Sequence, residues 1–233
     1  MKIALLGYGK MGKIIEKLAL QKGHQIVLKT TSKDSSFDLS ETDVAIEFST
    51  PNAAIQNIKT CFEQDTPVVS GTTGWLDQYD EMIKFCENRN GSFIYASNFS
   101  VGVNLFFSMN EYVSKLMKPW KDYDVSIEEI HHTEKKDAPS GTAISLAEGI
   151  LNNSEKKDWK LDSDSERELN ISAKRIDDVK GTHIISYDSE IDSISIKHEA
   201  HSREGFALGA ILAAEWLQHK KGVYSMKDVL EIK

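Results

Sequence analysis

The sequence predicts an α/β fold in its first hundred residues, followed by a smaller α+β domain. In the first part, short β-branched runs alternate with segments of helical period, which is typical of parallel strands linked by crossover helices. The runs are nearly all apolar, as a sheet covered on both faces requires. With 233 residues, 40% of them hydrophobic, the chain is long enough for two modest domains. The predicted strands are KIALLG, QIVLKTT, DVAIEF, PVVSGT and SFIYAS.

After Ser100 this alternation ends and a different pattern begins. A long amphipathic helix that includes residues 105–116 precedes an alternating strand at 124–130, and a shorter helix, TAISLAEGIL, follows. The stretch 152–170 is charged, poor in aliphatic residues and without a clear period. We therefore expect a solvated loop there.

The sequence of the last part of the chain predicts three strands and a buried helix. The spacing of the strands is typical of an antiparallel meander. The closing helix, GFALGAILAAEWLQ, is apolar around most of its circumference, so we expect it to return to the first domain. We predict one domain from residues 1–100 and 206–233, and another from residues 101–205 with an open mixed or antiparallel sheet. The three strands are ISAKRI, THIISYDS and DSISIKHEA.

Charge and hydropathy exclude several classes of partner. The chain has 36 acidic and 28 basic side chains, a net charge of −8, which disfavours binding to nucleic acid or to an anionic membrane surface. An anionic ligand must therefore be bound by a local basic or helix-terminal site. No apolar run approaches a membrane span, and KIALLG is too short for a signal-peptide core. These features favour a cytoplasmic enzyme.

The two cysteines indicate neither a disulfide nor a metal site. Cys61 and Cys86 share no metal-binding spacing, and each falls in phase with the apolar face of a predicted helix. We expect both to be buried thiols.

The motif GYGKMG follows the first strand and opens a helix. Gly7, Gly9 and Gly12 permit a tight turn, close approach to a pyrophosphate and close helix packing, while the helix N-terminus offers unpaired N–H groups to phosphates. The motif predicts a Rossmann-type, dinucleotide-binding domain. The alternative is a simple strand-to-helix turn.

The end of the second strand bears on the choice of dinucleotide. The segment QIVLKTTSK lacks the Asp or Glu that normally binds the ribose, so nothing in it repels a 2′-phosphate. Lys29 or Lys33 could attract that phosphate, although surface lysines are usually only solvated. NADPH and NADH are therefore both candidate cofactors.

Two more small-residue turns follow predicted parallel strands. GTTG at 71–74 follows PVVS, and ASNFSVGVN at 96–104 follows FIY. Each turn alone is consistent with a mere connection. Ligands of open α/β sheets, however, bind along the edge formed by the carboxyl ends of the strands, so the turns together favour a cofactor cleft.

The segment EEIHHTEKKDAPSGTAI, residues 128–144, concentrates proton donors before a helix start. His131 and His132 end a strand and point to opposite faces, so they have different roles. Lys135 and Lys136 follow in a loop. The N–H groups of Gly141 and Thr142, with the hydroxyls of Ser140 and Thr142, would form an anion-binding helix terminus.

This combination favours acid catalysis on an anionic substrate. A histidine and a lysine close in sequence supply a general acid and a second proton donor or electrostatic group. Metal binding is the rival interpretation, but no carboxylate or cysteine stands at the usual ligand spacing, and we predict no metal site. Purely structural histidines are a further alternative.

These motifs together resemble the 4-hydroxy-tetrahydrodipicolinate reductase (dihydrodipicolinate reductase) family of lysine and diaminopimelate biosynthesis. The resemblance spans essentially the whole chain, and the pairing of GTTG with the His-His-x-x-Lys-x-Asp-Ala-Pro-Ser-Gly-Thr segment is highly specific. The matching segments are GYGKMG, EFSTP, GTTG, ASNFSVGVN, EEIHHTEKKDAPSGTA, HEAHSR and YSMKDVL.

The resemblance implies hydride transfer from NADPH or NADH to C4 of a cyclic imine dicarboxylate, by a homotetramer whose second domain binds substrate. It assigns proton donation to His131 and Lys135, and substrate-carboxylate binding to His132, Gly141 and Thr142 beside Ser140. The implied cofactor contacts are Gly7, Tyr8, Gly9, Lys10, Met11, Gly12, Gly71, Thr72, Thr73, Ala96, Ser97, Asn98 and Phe99.

Two other functions compete with this one. A non-catalytic dinucleotide-sensing protein would keep the glycine motif but would leave His131, Lys135 and the Ser-Gly-Thr terminus without a common use. A different reductase on the same architecture would act on another carbonyl compound, such as an aldehyde or keto acid.

Overall fold

A computed structural model describes residues 1–34 and 36–232. The chain forms two compact units, Met1–Val101 with Glu204–Lys233, and Gly102–Arg203. The helices, in chain order, are α1 (Lys10–Gln21), α2 (Pro51–Glu63), α3 (Tyr79–Asn88), α4 (Val101–Met117), α5 (Gly141–Leu151), α6 (Glu204–Leu217) and α7 (Met226–Val229). The strands are β1 (Lys2–Leu6), β2 (Gln25–Thr30), β3 (Val44–Glu47), β4 (Val68–Ser70), β5 (Ser92–Tyr95), β6 (Asp124–His131), β7 (Asp158–Leu161), β8 (Glu168–Arg175), β9 (Thr182–Asp188), β10 (Ser193–Glu199) and β11 (Gly222–Tyr224).

The first unit contains the predicted parallel sheet. Its strand order is β11-β5-β4-β3-β1-β2, and each pair of neighbours is parallel. The prediction of a Rossmann-type parallel sheet is therefore confirmed. The strand β11, near the end of the chain, joins the sheet beside β5.

Helices cover both faces of this sheet, which explains its nearly continuous apolar strands. Ile3 and Leu5 of β1 belong to a core shared with α1 and α6, whereas Ala4 and Leu6 point the other way into a core shared with α2 and α3. Cys61 and Cys86 are buried free thiols, as predicted.

The second unit is built on a mixed sheet with the order β10-β9-β6-β8-β7. β6 pairs parallel with β8 and antiparallel with β9. The core on one face of this sheet combines residues of β6, β8 and β9 with residues of α4 and α5. The mixed sheet of the second domain is confirmed.

Two local predictions for this unit are wrong. The three late strands do not form a meander, because β6 lies between β8 and β9 and pairs with both. Asp158–Leu161 is not a solvated loop but the edge strand β7, parallel to β8. Trp159 and Leu161 pack against the core while Asp158 and Lys160 are exposed, an alternation too short to stand out among the surrounding charges.

Across the described ranges, no helix has both the length and the apolar content that crossing a membrane requires.

Candidate functional site

Glycines shape the turn between β1 and α1. Gly7 has a φ of +101°, and a Cβ there would lie 2.2 Å from the carbonyl oxygen of Phe48. A Cβ on Gly12 would lie 2.6 Å from the carbonyl oxygen of Gly7, so α1 packs closely on the turn only because Gly12 lacks a side chain. Gly9 has open space at its Cβ position and caps α1 without a side-chain hydrogen bond. The first N–H groups of α1 are thus available to a phosphate.

A cavity of about 520 Å³ lies beside this turn. Its walls come from residues 7–9, from residues 30–32 and 34 at the end of β2, and from residues 48–50, 52 and 53 after β3. The cavity therefore lies at the carboxyl ends of neighbouring parallel strands, where open α/β sheets bind their ligands. Its volume is in the range of pockets that hold small molecules and cofactors.

The two lysines near the end of β2 differ in their surroundings. Lys29 Nζ lies 2.5 Å from Glu16 Oε1 and 4.7 Å from the centre of the Tyr8 ring, and Tyr8 also donates a hydrogen bond to Glu16. The charge of Lys29 is therefore already compensated within the protein. Lys33 is exposed. Neither lysine is among the residues that line the cavity, so the structure does not bring the ammonium of Lys33 to a 2′-phosphate site.

A carboxylate also lines the cavity, and the sequence analysis missed it. Asp34 Oδ2 accepts hydrogen bonds from the N–H of Thr31 at 2.7 Å and from its hydroxyl at 2.9 Å. The N–H bond lowers the pKa of Asp34, so this group is an anion at neutral pH. The predicted position for a ribose-binding carboxylate ended at Lys33, whereas the turn at Thr31 brings the next residue back to the cavity.

A second buried carboxylate, Glu47, connects the ends of β3 and β4. It accepts hydrogen bonds from Ser70 Oγ at 2.7 Å, from Thr72 Oγ1 at 3.0 Å and from the N–H of Ser49 at 3.0 Å. Glu47 is fully buried, so these donors replace the water that its charge loses. This network fixes the turn at 71–73, and its sequence signal was an acidic residue at the end of the apolar run DVAIEF.

The predicted turns at 71–73 and 96–99 follow β4 and β5, which are consecutive with β3 in the sheet. Both turns therefore reach the same edge as the glycine turn. Thr72, Asn98 and Phe99 are buried, Ala96 is half-buried, and Thr73 and Ser97 are exposed. Asn98 Oδ1 accepts the N–H of Ser100 at 2.9 Å, so this side chain shapes its own turn.

In the second unit, the predicted proton-donor segment forms a buried polar cluster. Glu129 and His131 lie on the same face of β6 because strand side chains alternate. Strand pairing brings His183 of β9 opposite Glu129 and Arg175 of β8 opposite His131. Ser140 caps α5, with its Oγ accepting the N–H of Ala143 at 3.2 Å.

Glu129 is at the centre of this cluster. Its Oε2 accepts the N–H of Ser140 at 2.9 Å and lies 3.8 Å from both His131 Nδ1 and His183 Nε2. Its Oε1 accepts a hydrogen bond from Arg175 Nη2 at 3.1 Å. His183 Nε2 is also 3.1 Å from Ser140 Oγ. One carboxylate thus joins the strand that ends in His131 to the start of α5.

The loop between β6 and α5 carries Lys135. Arg175 donates hydrogen bonds to the carbonyl oxygens of Asp137 at 2.6 Å and Lys135 at 3.3 Å, and so ties this loop to β8. Lys135 Nζ lies 2.9 and 2.8 Å from the two carboxylate oxygens of Asp137. His132 lies just after β6, where its carbonyl oxygen accepts the N–H of Lys135 at 3.1 Å.

The first turn of α5 presents the N–H groups predicted to bind an anion. A Cβ on Gly141 would meet no heavy atom within 4 Å, so the space beside this turn is open. Ser140, by contrast, is 3% exposed, and its hydroxyl is engaged with Ala143 and His183. The geometry makes Ser140 a support of the helix terminus rather than part of its open surface.

Burial and neighbouring charges set the protonation of the cluster. Burial lowers the pKa of His183 to about 4, so this imidazole is neutral at pH 7. Burial also lowers the pKa of His131, while the charge of Glu129 opposes that shift. Burial raises the pKa of Glu129, but hydrogen bonds from Ser140, the charge interaction with His131 and a hydrogen bond from Arg175 outweigh it, so the carboxyl is ionised.

The ligand atoms of Glu129, His131 and His183 lie within 4.8 Å of one another, close enough to surround a cation. Both carboxylate oxygens of Glu129 already accept hydrogen bonds from Ser140 and Arg175. We therefore interpret the cluster as a network for holding protons. Sequence reasoning found His131 but missed Glu129, Arg175 and His183.

Comparisons with known proteins agree with the fold of both units. The family model described as "Dihydrodipicolinate reductase, N-terminus" matches residues 1–99, and the one described as "Dihydrodipicolinate reductase, C-terminus" matches residues 102–230. A dipicolinate-bound dihydrodipicolinate reductase from Paenisporosarcina sp. TG-14 has the same fold, with a TM-score of 0.81 at 21% identity over 100% of this chain and 99% of that one.

Two curated relatives carry the same name. A 4-hydroxy-tetrahydrodipicolinate reductase of Christiangramia forsetii is 54% identical over 99% of this chain and 98% of its own length. One from Rickettsia rickettsii is 38% identical over 96% of both chains. These matches confirm the resemblance predicted from the motifs. The chain belongs to the dihydrodipicolinate reductase family, and it is an NAD(P)H-dependent oxidoreductase.

Proposed function

We propose that this protein reduces 4-hydroxy-tetrahydrodipicolinate to tetrahydrodipicolinate, with loss of water, in lysine and diaminopimelate biosynthesis. The observation that carries the proposal is the cluster in which Glu129 binds the N-terminus of α5 beside His131. Such a cluster can bind a carboxylate and donate a proton within a few ångströms. A non-catalytic dinucleotide sensor would have no use for it.

The unit formed by Met1–Val101 and Glu204–Lys233 is the dinucleotide-binding domain in this proposal. The open first turn of α1 supports a pyrophosphate position at Gly9, and the cavity beside it supports an adenosine position. Residues 71–73 and 96–99 hold the nicotinamide end. When bound, the reduced nicotinamide supplies the hydride that the reaction adds to C4 of the substrate ring.

The unit Gly102–Arg203 binds the substrate. The N–H groups of Gly141 and Thr142 bind one substrate carboxylate, helped by the positive end of α5 and by His132. Ser140 acts indirectly, because its hydroxyl caps the helix and its N–H is held by Glu129. The substrate is a dianion, so its second carboxylate requires a cation, and Lys135 provides it.

His131 is the general acid. Reduction of a conjugated imine at one carbon requires a proton at the neighbouring carbon, and positioned acid catalysis contributes about 10²- to 10⁴-fold. Nδ1 of His131 faces Glu129 at 3.8 Å, which leaves Nε2 to exchange the proton with the substrate. Lys135 is the second proton donor. When the substrate binds, its ammonium leaves the carboxylate of Asp137 and contacts the substrate instead.

The protein assembles as a homotetramer through the second unit. One face of the mixed sheet is covered by α4 and α5, whereas Ile130 and Ile184 on its other face are half-buried. Partly exposed isoleucines on an uncovered sheet face are suited to packing against other copies. Sedimentation velocity at micromolar concentration should give a tetramer, and a monomer there would contradict the assignment.

An absorbance assay at the nicotinamide band tests the reaction. The product of the preceding synthase is supplied as substrate, with NADH and NADPH in separate reactions. We expect cofactor oxidation that depends on this substrate and is absent with simple aldehydes or keto acids. Tight cofactor binding without any oxidation would favour the dinucleotide sensor, and turnover of another carbonyl compound alone would favour a different reductase.

A further inference from the structure

The proposed reaction assigns no chemical step to the carboxylate of Glu129, although this group lies beside the proposed acid. Glu129 is 0% exposed, although glutamate is almost never fully buried unless it is paired. Each of its oxygens accepts one well-formed hydrogen bond, Oε2 from the N–H of Ser140 and Oε1 from Arg175. These partners keep it ionised inside the protein.

The two imidazoles beside Glu129 lie farther from its carboxylate than these hydrogen-bond partners do. His131 Nδ1 and His183 Nε2 each lie 3.8 Å from Oε2, too far for a hydrogen bond but close enough for a strong charge interaction. Nδ1 of His131 is buried, and no hydrogen-bond partner contacts it among residues 1–34 and 36–232. The nearest compensation for a positive charge on this ring is therefore the carboxylate of Glu129.

The other groups around His131 mostly disfavour its imidazolium form. Arg175 of β8 and Lys135 of the loop after β6 are positive, and His183 of β9 is a neutral ring that adds burial. Within the described part of the chain, Asp137 is the one other group that adds negative charge near His131. Asp137 is largely exposed and paired with Lys135, so its effect is screened. Among the described groups, Glu129 is the buried anion that opposes burial and the two cations.

The same oxygen of Glu129 also fixes the start of α5. Because Oε2 holds the N–H of Ser140, it sets where Gly141 and Thr142 present their N–H groups. The position of the proposed carboxylate-binding turn and the charge state of the proposed acid thus depend on one atom.

We propose that Glu129 is a positioning residue of the reaction, whose carboxylate stabilises the protonated form of His131 and holds the N-terminus of α5 in place beside it. This inference rests on the proposed role of His131 as the general acid. It adds a residue that does not itself touch the substrate but on which both the acid and the carboxylate-binding turn depend.

The test compares Glu129→Gln with Glu128→Gln in the full chain. Gln keeps the shape of the side chain but removes its charge. Glu128 is the next residue on β6, points to the other face and pairs with Lys174, so its variant controls for charge loss on the strand. Titration of the His131 ring by ¹⁵N NMR, without cofactor or substrate, measures the effect directly.

We expect the His131 midpoint to fall by roughly one to three pH units in Glu129→Gln, as for loss of an opposite charge at this distance, and to stay unchanged in Glu128→Gln. The limb of kcat/KM that falls with rising pH should move to lower pH by the same amount. A merely structural role would reduce activity without moving either value, and an unmoved midpoint would overturn the proposal.

Arg175→Gln provides a second variant in case Glu129→Gln does not fold. Removing the guanidinium leaves Glu129 less compensated, so the His131 midpoint should rise, opposite to its change in Glu129→Gln. A fall or no change in Arg175→Gln would contradict the charge balance described above. Full activity of His131→Gln would reject the role of His131 as acid, whereas the NMR midpoints would still decide whether Glu129 controls its proton.

Discussion

The ammonium of Lys135 is held by both carboxylate oxygens of Asp137, at 2.9 and 2.8 Å. The pKa of Asp137 is lowered by this contact, so the pair is ionised. An anionic substrate that uses Lys135 must therefore compete with Asp137 for the same charge. This competition makes the strength of substrate binding depend on a residue that need not touch the substrate.

Asp137→Asn should release this ammonium. We expect KM for the substrate to fall roughly threefold at low ionic strength, because an exposed ion pair is weak and screened by salt.

Lys135→Ala should instead raise KM and lower kcat by about 10²-fold, as expected for a lost proton donor. Lys136→Ala, an exposed neighbour, is the matched control and should behave like the parent protein. Equal losses of kcat in the Lys135→Ala and Lys136→Ala variants would show that Lys135 acts only as a surface charge.

His183 should make stability depend on pH. Its folded pKa of about 4 lies below the unfolded value of about 6.5, so the unfolded chain binds the proton first as pH falls. The contribution is fully present above pH 6.5, and about 3 kcal/mol is lost as pH falls to about 4. Urea unfolding at pH 7 and pH 4.5 measures most of this loss, about 2 kcal/mol. His183→Gln should lose clearly less stability over the interval, and the same loss in both proteins would refute the assignment.

Two glycines of the turn between β1 and α1 should have different roles, Gly7 in packing and Gly9 in cofactor binding. Gly7→Ala should lower the melting temperature by several degrees, because its φ is +101° and a Cβ would overlap the carbonyl of Phe48. Gly9→Ala should leave the melting temperature nearly unchanged, since its Cβ would meet open space. Its methyl group would, however, obstruct the pyrophosphate, so we expect Kd for NADH and NADPH to rise roughly tenfold, about 1.4 kcal/mol. Unchanged Kd values in Gly9→Ala would move the phosphate site elsewhere.

Asp34 should influence the choice between the two cofactors. Its carboxylate lines the cavity and would repel a 2′-phosphate. In Asp34→Asn, the amide oxygen can still accept from Thr31, so we expect NADPH to bind about threefold more tightly and NADH no more tightly. Asp38→Asn is the control, because Asp38 accepts comparable hydrogen bonds from Ser40 but belongs to another part of the loop. Fluorescence titration gives both Kd values, and identical shifts in the two variants would show only a general charge effect.

The sequence predicted most of what depends on local pattern. The continuous apolar strands specified a parallel sheet covered on both faces, and the first glycine motif lies where its spacing placed it. The alternation of β6 even contained Glu129, two residues before His131 and so on the same face. That signal was available, but an acidic residue in a strand is not by itself a reason to expect a buried one.

What could not be predicted depends on pairing between distant segments. Arg175 and His183 join the cluster only because β6 lies between β8 and β9, a strand order that the expected meander excluded. Asp34 reaches the cavity through a turn held by its own side chain, which strand boundaries do not reveal. In each case, hydrogen bonding rather than hydrophobic period determined the position.

Single-turnover kinetics of His131→Gln tests the central claim most directly. The enzyme is first saturated with NADH or NADPH and then mixed with substrate while nicotinamide absorbance is followed. We expect cofactor Kd to be unchanged and the rate of hydride transfer to fall by about 10²- to 10⁴-fold, the usual contribution of a general acid. A rate equal to that of the parent protein would show that His131 does not donate the proton.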